Sequence, residues 1–277
     1  MRILFIFILI AILLFALTDQ VQGQKKFACE IDEDDKTSCS ISYSVIIDSV
    51  GFTLSNELSH EVKTCSSFSN SDIRFLPENV AASFPSLTYY YSTNNYAKSV
   101  NKNHFRGLHE LTTIVLKDMI IESIASDSFE DATKLEYLRL NNNQIKVVDP
   151  KWFKSMPILL ELSLMGNQIS HLDENVFAQL PILEELALDR NQLKTIPTNL
   201  LKNNLKLEWL GLEDNKIETV NSEALSWVVI WAINLCGNVC VNRRYGKHQI
   251  ERELNPDIHD MTELKKDLDD NCTRLNN

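Results

Sequence analysis

No cysteine lies between residues 66 and 235 of this 277-residue chain, although six occur elsewhere in it. Disulfides therefore do not staple its middle, which must hold by packing alone. Local signatures of catalysis are missing too. There is no G-x-S-x-G turn, P-loop or dinucleotide-binding loop, which removes the commonest hydrolase and nucleotide-enzyme readings. The histidines (His60, His104, His109, His171, His248, His259) are scattered and form no HExxH or paired metal-ligand spacing. No D-x-D-x-D-G loop is present, so Asp32-Glu33-Asp34-Asp35 reads as a solvated loop rather than a calcium site. No catalytic residue, metal or cofactor is expected. Positive charge is also scarce. A net charge of -11 argues against a nucleic-acid binder and favours basic or neutral partners.

Long apolar runs are absent after the first residues. Arg2 followed by an unbroken apolar stretch from Ile3 to Leu17 reads as a secretory signal. Val21-Gln22-Gly23 precedes the expected cut at Gln24. The run is shorter than the roughly 20 residues a bilayer span needs. Residues 1–23 are therefore expected to be a removed signal peptide, with an uncleaved signal anchor as the alternative. The mature chain, with no membrane span, is expected to be secreted, soluble and extracellular. The polar C-terminus (Asp269, Asp270, Arg274) does not read as a lipid-anchor tail.

What the chain does have is a period. Leu87, Leu111, Leu135, Leu159, Leu183 and Leu207 each open a frame 24 residues after the last. Within the frames runs L-x-x-L-x-L-x-x-N-x-L, clearest at Leu135, Leu138, Leu140, Asn143 and Ile145. The same pattern follows at Leu159, Leu183 and Leu207, and one residue early at Ile230, Ile233, Leu235 and Asn238. A fixed period of this length marks stacked supersecondary units, each burying its faces against its neighbours. In L-x-x-L-x-L the fourth and sixth residues alternate, so both point inward from a short strand. An asparagine at position nine can bond the backbone of the turn after the strand, groups that would otherwise be orphaned. Asn143, Asn167, Asn191, Asn215 and Asn238 thus read as a structural ladder. Position nineteen holds Phe105, Phe129, Phe153 and Phe177, then Leu201 and Leu225, an apolar spine locked to the repeat.

These residues resemble an extracellular leucine-rich repeat protein of the 24-residue type, over about residues 63–240. The resemblance implies an α/β solenoid, a leucine-rich repeat horseshoe with short parallel strands on the concave side and irregular or short helical segments on the convex side. Seven frames are recognisable, with a weaker one at Lys63. Residues 24–62 form the expected N-terminal cap, residues 63–240 the repeats and residues 241–277 the C-terminal cap. The cap cysteines suit an oxidising compartment and disulfide-closed ends. Six cysteines allow 15 pairings; Cys29–Cys39 and Cys240–Cys272 are favoured. Cys65 and Cys236 are too far apart along the stack to meet, and are either alternative cap partners or free thiols. Asn238-Val239-Cys240-Val241-Asn242 departs from the C-x-C cap of vertebrate relatives, which leaves the C-terminal pairing open. Residues 247–270 space Ile250, Leu254, Ile258, Met261, Leu264 and Leu268 at helical intervals, and Pro256 divides them into two expected helices. Asn271-Cys272-Thr273 is the single glycosylation sequon, at Asn271.

Outward positions three, five and seven of each frame should face the concave surface. Tyr89, Tyr91, Tyr137, Lys117 and Arg139 fall in its N-terminal half. Glu161, Glu185, Asp189 and Glu213 fall in its C-terminal half, with Asp214 nearby. Ser163, Ala187 and Gly211 between the acids should leave a shallow trough, with Trp209 exposed beside it. Exposed Trp and Tyr are enriched among binding hot spots. The expected function is a non-enzymatic binding module whose concave face takes a basic protein or peptide segment. The resemblance points to innate immune recognition, signalling or adhesion. The alternative is a self-associating structural matrix protein, and a homodimer stays open.

Overall fold

A computed structural model describes residues 26–28, 30–31, 38–40, 53–55, 64–66, 74–228, 230–246 and 258–272. The proposed signal segment and Cys29 lie outside the described residues. Twelve short strands form one sheet. They are β1 (Glu30–Ile31), β2 (Ser38–Ser40), β3 (Thr64–Ser66), β4 (Tyr89–Thr93), β5 (Thr113–Lys117) and β6 (Tyr137–Arg139). The second half comprises β7 (Glu161–Ser163), β8 (Glu185–Ala187), β9 (Trp209–Gly211), β10 (Ala232–Asn234), β11 (Arg244–Gly246) and β12 (Ile258–Asp260). From β2 to β10 the pairing is parallel, one strand per turn of the solenoid. Such parallel neighbours need a crossover, and each frame supplies one.

The register explains the sequence pattern. Ile114, Leu138, Leu162, Leu186, Leu210 and Ile233 stand side by side, one per layer, and all are buried. The convex side carries two-residue strands, such as Ser99–Val100 beside Ser123–Ile124 and Thr195–Ile196 beside Thr219–Val220. Between the two sides Phe105, Phe129, Phe153 and Phe177 are fully buried, with Phe105 stacked on Phe129 at 5.6 Å. One continuous apolar core runs the length of the described repeats.

The position-nine asparagines bind the layers together. Asn167 Nδ2 donates to the carbonyls of Leu140 and Leu164, each at 2.9 Å, and its Oδ1 accepts from Ile145 N–H at 3.0 Å. Asn143, Asn191, Asn215 and Asn238 repeat this arrangement. A buried carboxamide thus satisfies three backbone groups that span two frames. Position eight, one residue earlier, is left-handed in every frame from 87 on: Asn94, Asp118, Asn142, Gly166, Arg190, Asp214 and Gly237. This reversal turns the chain out of the strand, and Asn, Asp and Gly tolerate it best.

Two expectations need correction, and one buried asparagine stands outside the pattern. The register sets Thr64 opposite Tyr89, 25 residues on, one more than the 24-residue step back to a frame at Lys63 implies. Asn95 also occupies position nine and is buried, but its Nδ2 donates to Ser92 Oγ at 2.9 Å and its Oδ1 has no partner, so it does not make the interlayer backbone bonds of the ladder. Residues 258–260 are a strand, not part of a helix: β12 pairs in parallel with β11, and the helix α1 (Met261–Asn271) follows. The apolar spacing of Leu264 and Leu268 is helical and both are buried, but Ile258 precedes the helix.

The C-terminal end closes by a reversal. β11 runs antiparallel to β10 and sets Arg244 opposite Asn234. Cys240 and Cys272 form a disulfide with a Cα separation of 4.9 Å, tying α1 to the turn before β11. Asp267 of α1 accepts from Tyr245 Oη at 2.6 Å and from Arg243 Nη1 at 2.9 Å. Burial pushes the Tyr245 phenol up, and the Asp267 carboxylate adds to the rise. Strand β11 is thereby held from beneath.

Candidate functional site

The concave face is a grid with one strand per column. Position five, its central row, reads Tyr91, Val115, Arg139, Ser163, Ala187, Gly211, Asn234 and finally Arg244, which enters the row through the antiparallel pairing. Two arginines therefore bracket four small or short side chains.

At one end lie the tyrosines. Tyr89 and Tyr91 project from alternate positions of β4 with ring centroids 6.3 Å apart, and Tyr90 between them turns inward against Phe105. Arg139 sits 5.9 Å from the Tyr137 ring centroid, within range of a cation–π contact. Its Nε and Nη2 both reach Glu161, each at 2.6 Å. This fork-to-carboxylate pair is the strong geometry for such contacts. It raises the Arg139 pKa, with the Glu161 hydrogen bond as the main cause. Burial raises the Tyr89 phenol, opposed by the Arg139 charge.

Next come the acids, which divide in a way the pattern alone does not reveal. Glu161 is held by Arg139. Glu185 is exposed, and its pKa is raised first by partial burial and then by the Glu161 charge. Asp189, expected on the open face, is buried instead, and its Oδ1 accepts the Glu213 backbone N–H at 2.9 Å. Burial raises its pKa, with that N–H opposing. Asp189 is therefore a bracket between frames more than a contact residue. The trough also differs from expectation. Trp209 is half-buried, and its indole together with the Asp189 carboxylate lies over Gly211, where a Cβ would collide with both. Gly211 is needed for this packing, not for an open channel.

The opening lies one strand further on. Trp209, Glu213, Ala232, Ile233, Asn234 and Arg244 line a hollow of about 290 Å³. Glu213 Oε2 accepts from Asn234 Nδ2 at 2.8 Å and faces Arg244 Nη2 at 3.9 Å. That approach is the guanidinium's only ion pair among the described residues, and its Nε is buried without a hydrogen-bond partner. The repeat pattern could not foretell Arg244, because it stands in a reversed strand outside the period. The polar Asn234 at position five and the short last frame were the available signals.

Asn271, the sequon residue, is exposed near the end of α1, where its Nδ2 donates to Asp267 O at 2.9 Å. No group of three or more His, Cys, Asp or Glu side chains that could hold a metal occurs among the described residues. No helix among them is long and apolar enough to cross a membrane.

Comparison with known proteins agrees with this geometry. Residues 85–145 and 133–193 match the family described as Leucine rich repeat. Epiphycan of Mus musculus is 41% identical over 59 residues, covering 21% of this chain and 18% of that protein. Epiphycan of Homo sapiens is 37% identical over 71 residues, covering 26% and 20%. The chain thus matches only about a fifth of the length of these curated relatives. Among solved structures, the TLR13 chain in the crystal structure of a TLR13–ssRNA13 complex superposes with a TM-score of 0.58 at 23% identity. The superposition covers 64% of this chain and 26% of that one. Sequence period, strand register and these likenesses together establish a leucine-rich repeat solenoid.

Proposed function

We infer that this leucine-rich repeat chain is a secreted, non-enzymatic binding module that recognises a protein or peptide segment along its concave face. The observation that carries the reading is the hollow at the end of the central row, where a half-buried Trp209 lies beside unsaturated charge. Aromatic side chains beside polar groups in a concavity are the usual anchors of protein recognition. The exposed Glu185 supplies a contact for a basic residue of the partner. An acidic chain of net charge -11 is poorly suited to nucleic acid, so the RNA named with TLR13 stays with that protein. Residues 1–23 act as the signal peptide in this reading, and residues 24–62 and 241–277 as caps on the repeats. Innate immune recognition, signalling and adhesion are the roles to which such a module would be put.

The test is capture from extracellular fluid of the source tissue, using the chain from Gln24 as bait beside a Trp209→Ala, Glu185→Lys double variant of unchanged melting temperature. A protein retained by the first and lost by the second supports the concave face. Equal retention by both overturns it and moves the interface to the caps or the convex side. Recovery of only its own chain favours the self-associating matrix protein, for which the exposed Leu205 and Trp231 provide apolar surface.

A further inference from the structure

We propose that Arg244 receives a carboxylate of the partner in the hollow beside Trp209. On this assignment the concave face reads a segment with a basic residue over Glu185 and an acidic side chain about five residues along it. The inference deepens the concave-face reading and rests on it.

The argument begins with an unspent donor set. A guanidinium offers five N–H donors in a planar fork that matches a carboxylate. Arg139 uses its fork on Glu161. Arg244, in the same row, has only the 3.9 Å approach to Glu213, too long for a hydrogen bond, while Glu213 Oε2 is already held by Asn234. A buried guanidinium nitrogen without an acceptor is costly, and an acceptor entering the hollow relieves that cost by letting the fork close on it. The hollow has room for such a group, at about 290 Å³. Its remaining walls are an indole, two aliphatic side chains and Asn234, and the Arg244 side chain is partly exposed, so a carboxylate can reach the fork from solvent.

Position is fixed as well as chemistry. The pairing of β11 with β10 and the Tyr245–Asp267 and Cys240–Cys272 links hold the Arg244 backbone in the sheet register. Three inter-strand steps and two residues along the strand separate Glu185 on β8 from Arg244 on β11, since Gly246 is the residue in the Glu185 row. At ~4.8 Å per step and ~3.3 Å per residue the diagonal is roughly 16 Å, which an extended segment crosses in about five residues. Basic-x-x-x-x-acidic is the spacing that satisfies both ends at once.

The experiment uses the chain from Gln24 and immobilised synthetic peptides. In these a lysine and a glutamate are separated by one to six residues, with glutamine in place of the glutamate as control. A further peptide ends in a free C-terminal carboxylate at the same spacing instead of a glutamate side chain. The expected result is about tenfold tighter binding at the five-residue offset than for the glutamine control, a preference abolished in Arg244→Gln. Glu213→Gln, which removes the neighbouring carboxylate, is expected to increase it, an effect that a merely structural Arg244 would not give. Preference for the C-terminal carboxylate over the side chain would identify the other source of the same group. Binding indifferent to the glutamate, or no binding of any peptide, overturns the inference. The capture experiment keeps the two readings apart. A partner lost with Trp209→Ala but retained by Arg244→Gln leaves the concave face standing and removes the carboxylate from it.

Discussion

Arg139 and Arg244 stand in one row of one sheet, five strand steps apart, and their surroundings are opposite in kind. Around Arg139 the surface is finished: rings cover one side, Glu161 takes the fork, and Val115 fills the row on the far side. Around Arg244 the surface is left open: the row narrows to Gly211 and Asn234, and the guanidinium faces a hollow. A repeat that copied itself perfectly would make these ends alike. The difference shows that outward positions vary freely, while the inward leucines and asparagines, whose burial sets the layer spacing, do not.

The largest effect expected at the tyrosine end comes from beneath it. His104 lies in the short helix Lys102–Phe105 on the far side of the core, buried, with its Nδ1 accepting the Asn101 N–H at 3.1 Å. Burial lowers its pKa from 6.5 to about 4. The unfolded chain therefore binds this proton first as the pH falls. The stabilisation is complete above pH 6.5 and is lost progressively down to about pH 4, amounting to about 3 kcal/mol for a shift of this size. His104→Gln, which can still accept the Asn101 N–H, should flatten that slope in urea unfolding curves between pH 4 and 7. An unchanged slope would mean that other groups carry the acid sensitivity.

A second prediction makes the two ends alike. Gly211→Val copies Val115 into the open half of the row. The added side chain meets Trp209 and Asp189, so one of them must leave its place. A loss of about 2 kcal/mol, together with a change in tryptophan fluorescence, is expected. The control Ala187→Val, one strand back, should cost less, since its Cβ is already accommodated. Equal costs would show that the indole does not depend on the missing side chain of Gly211.

These ends also mark how far the sequence could be read. Leu138, Leu162 and Leu186, the position-nine asparagines and the four phenylalanines are all legible, because burial on a stacked layer repeats wherever the layer does. Asn95 is hard to read from the sequence because Ser92 and Tyr90 stand where the leucines of its frame belong. The outward side chains are legible only as a face. Whether Asp189 stays in water or turns to the Glu213 N–H depends on the neighbouring frame, and the period is silent on that choice. Arg244 enters the row only through the reversal into β11, and the polar Asn234 and the short last frame are the repeat's only hints of it.

Asp189 yields the smallest effect and the finest distinction. Its carboxylate gains one backbone hydrogen bond and loses much of its hydration, and the direction of its pKa says that burial outweighs the bond. A raised carboxyl pKa means that the folded state holds this proton more tightly. The associated stability is present in acid and is lost as the pH rises through the folded value. Asp189→Asn keeps an oxygen for the Glu213 N–H and removes the charge. It should match the wild type near pH 3 and exceed it by less than about 1 kcal/mol near pH 7. Calorimetric melting at the two pH values makes the comparison. A variant less stable at pH 7 would mean that the charged bond to Glu213 outweighs desolvation. The open end of the face would then be held, like the closed end, by a carboxylate with a strong partner.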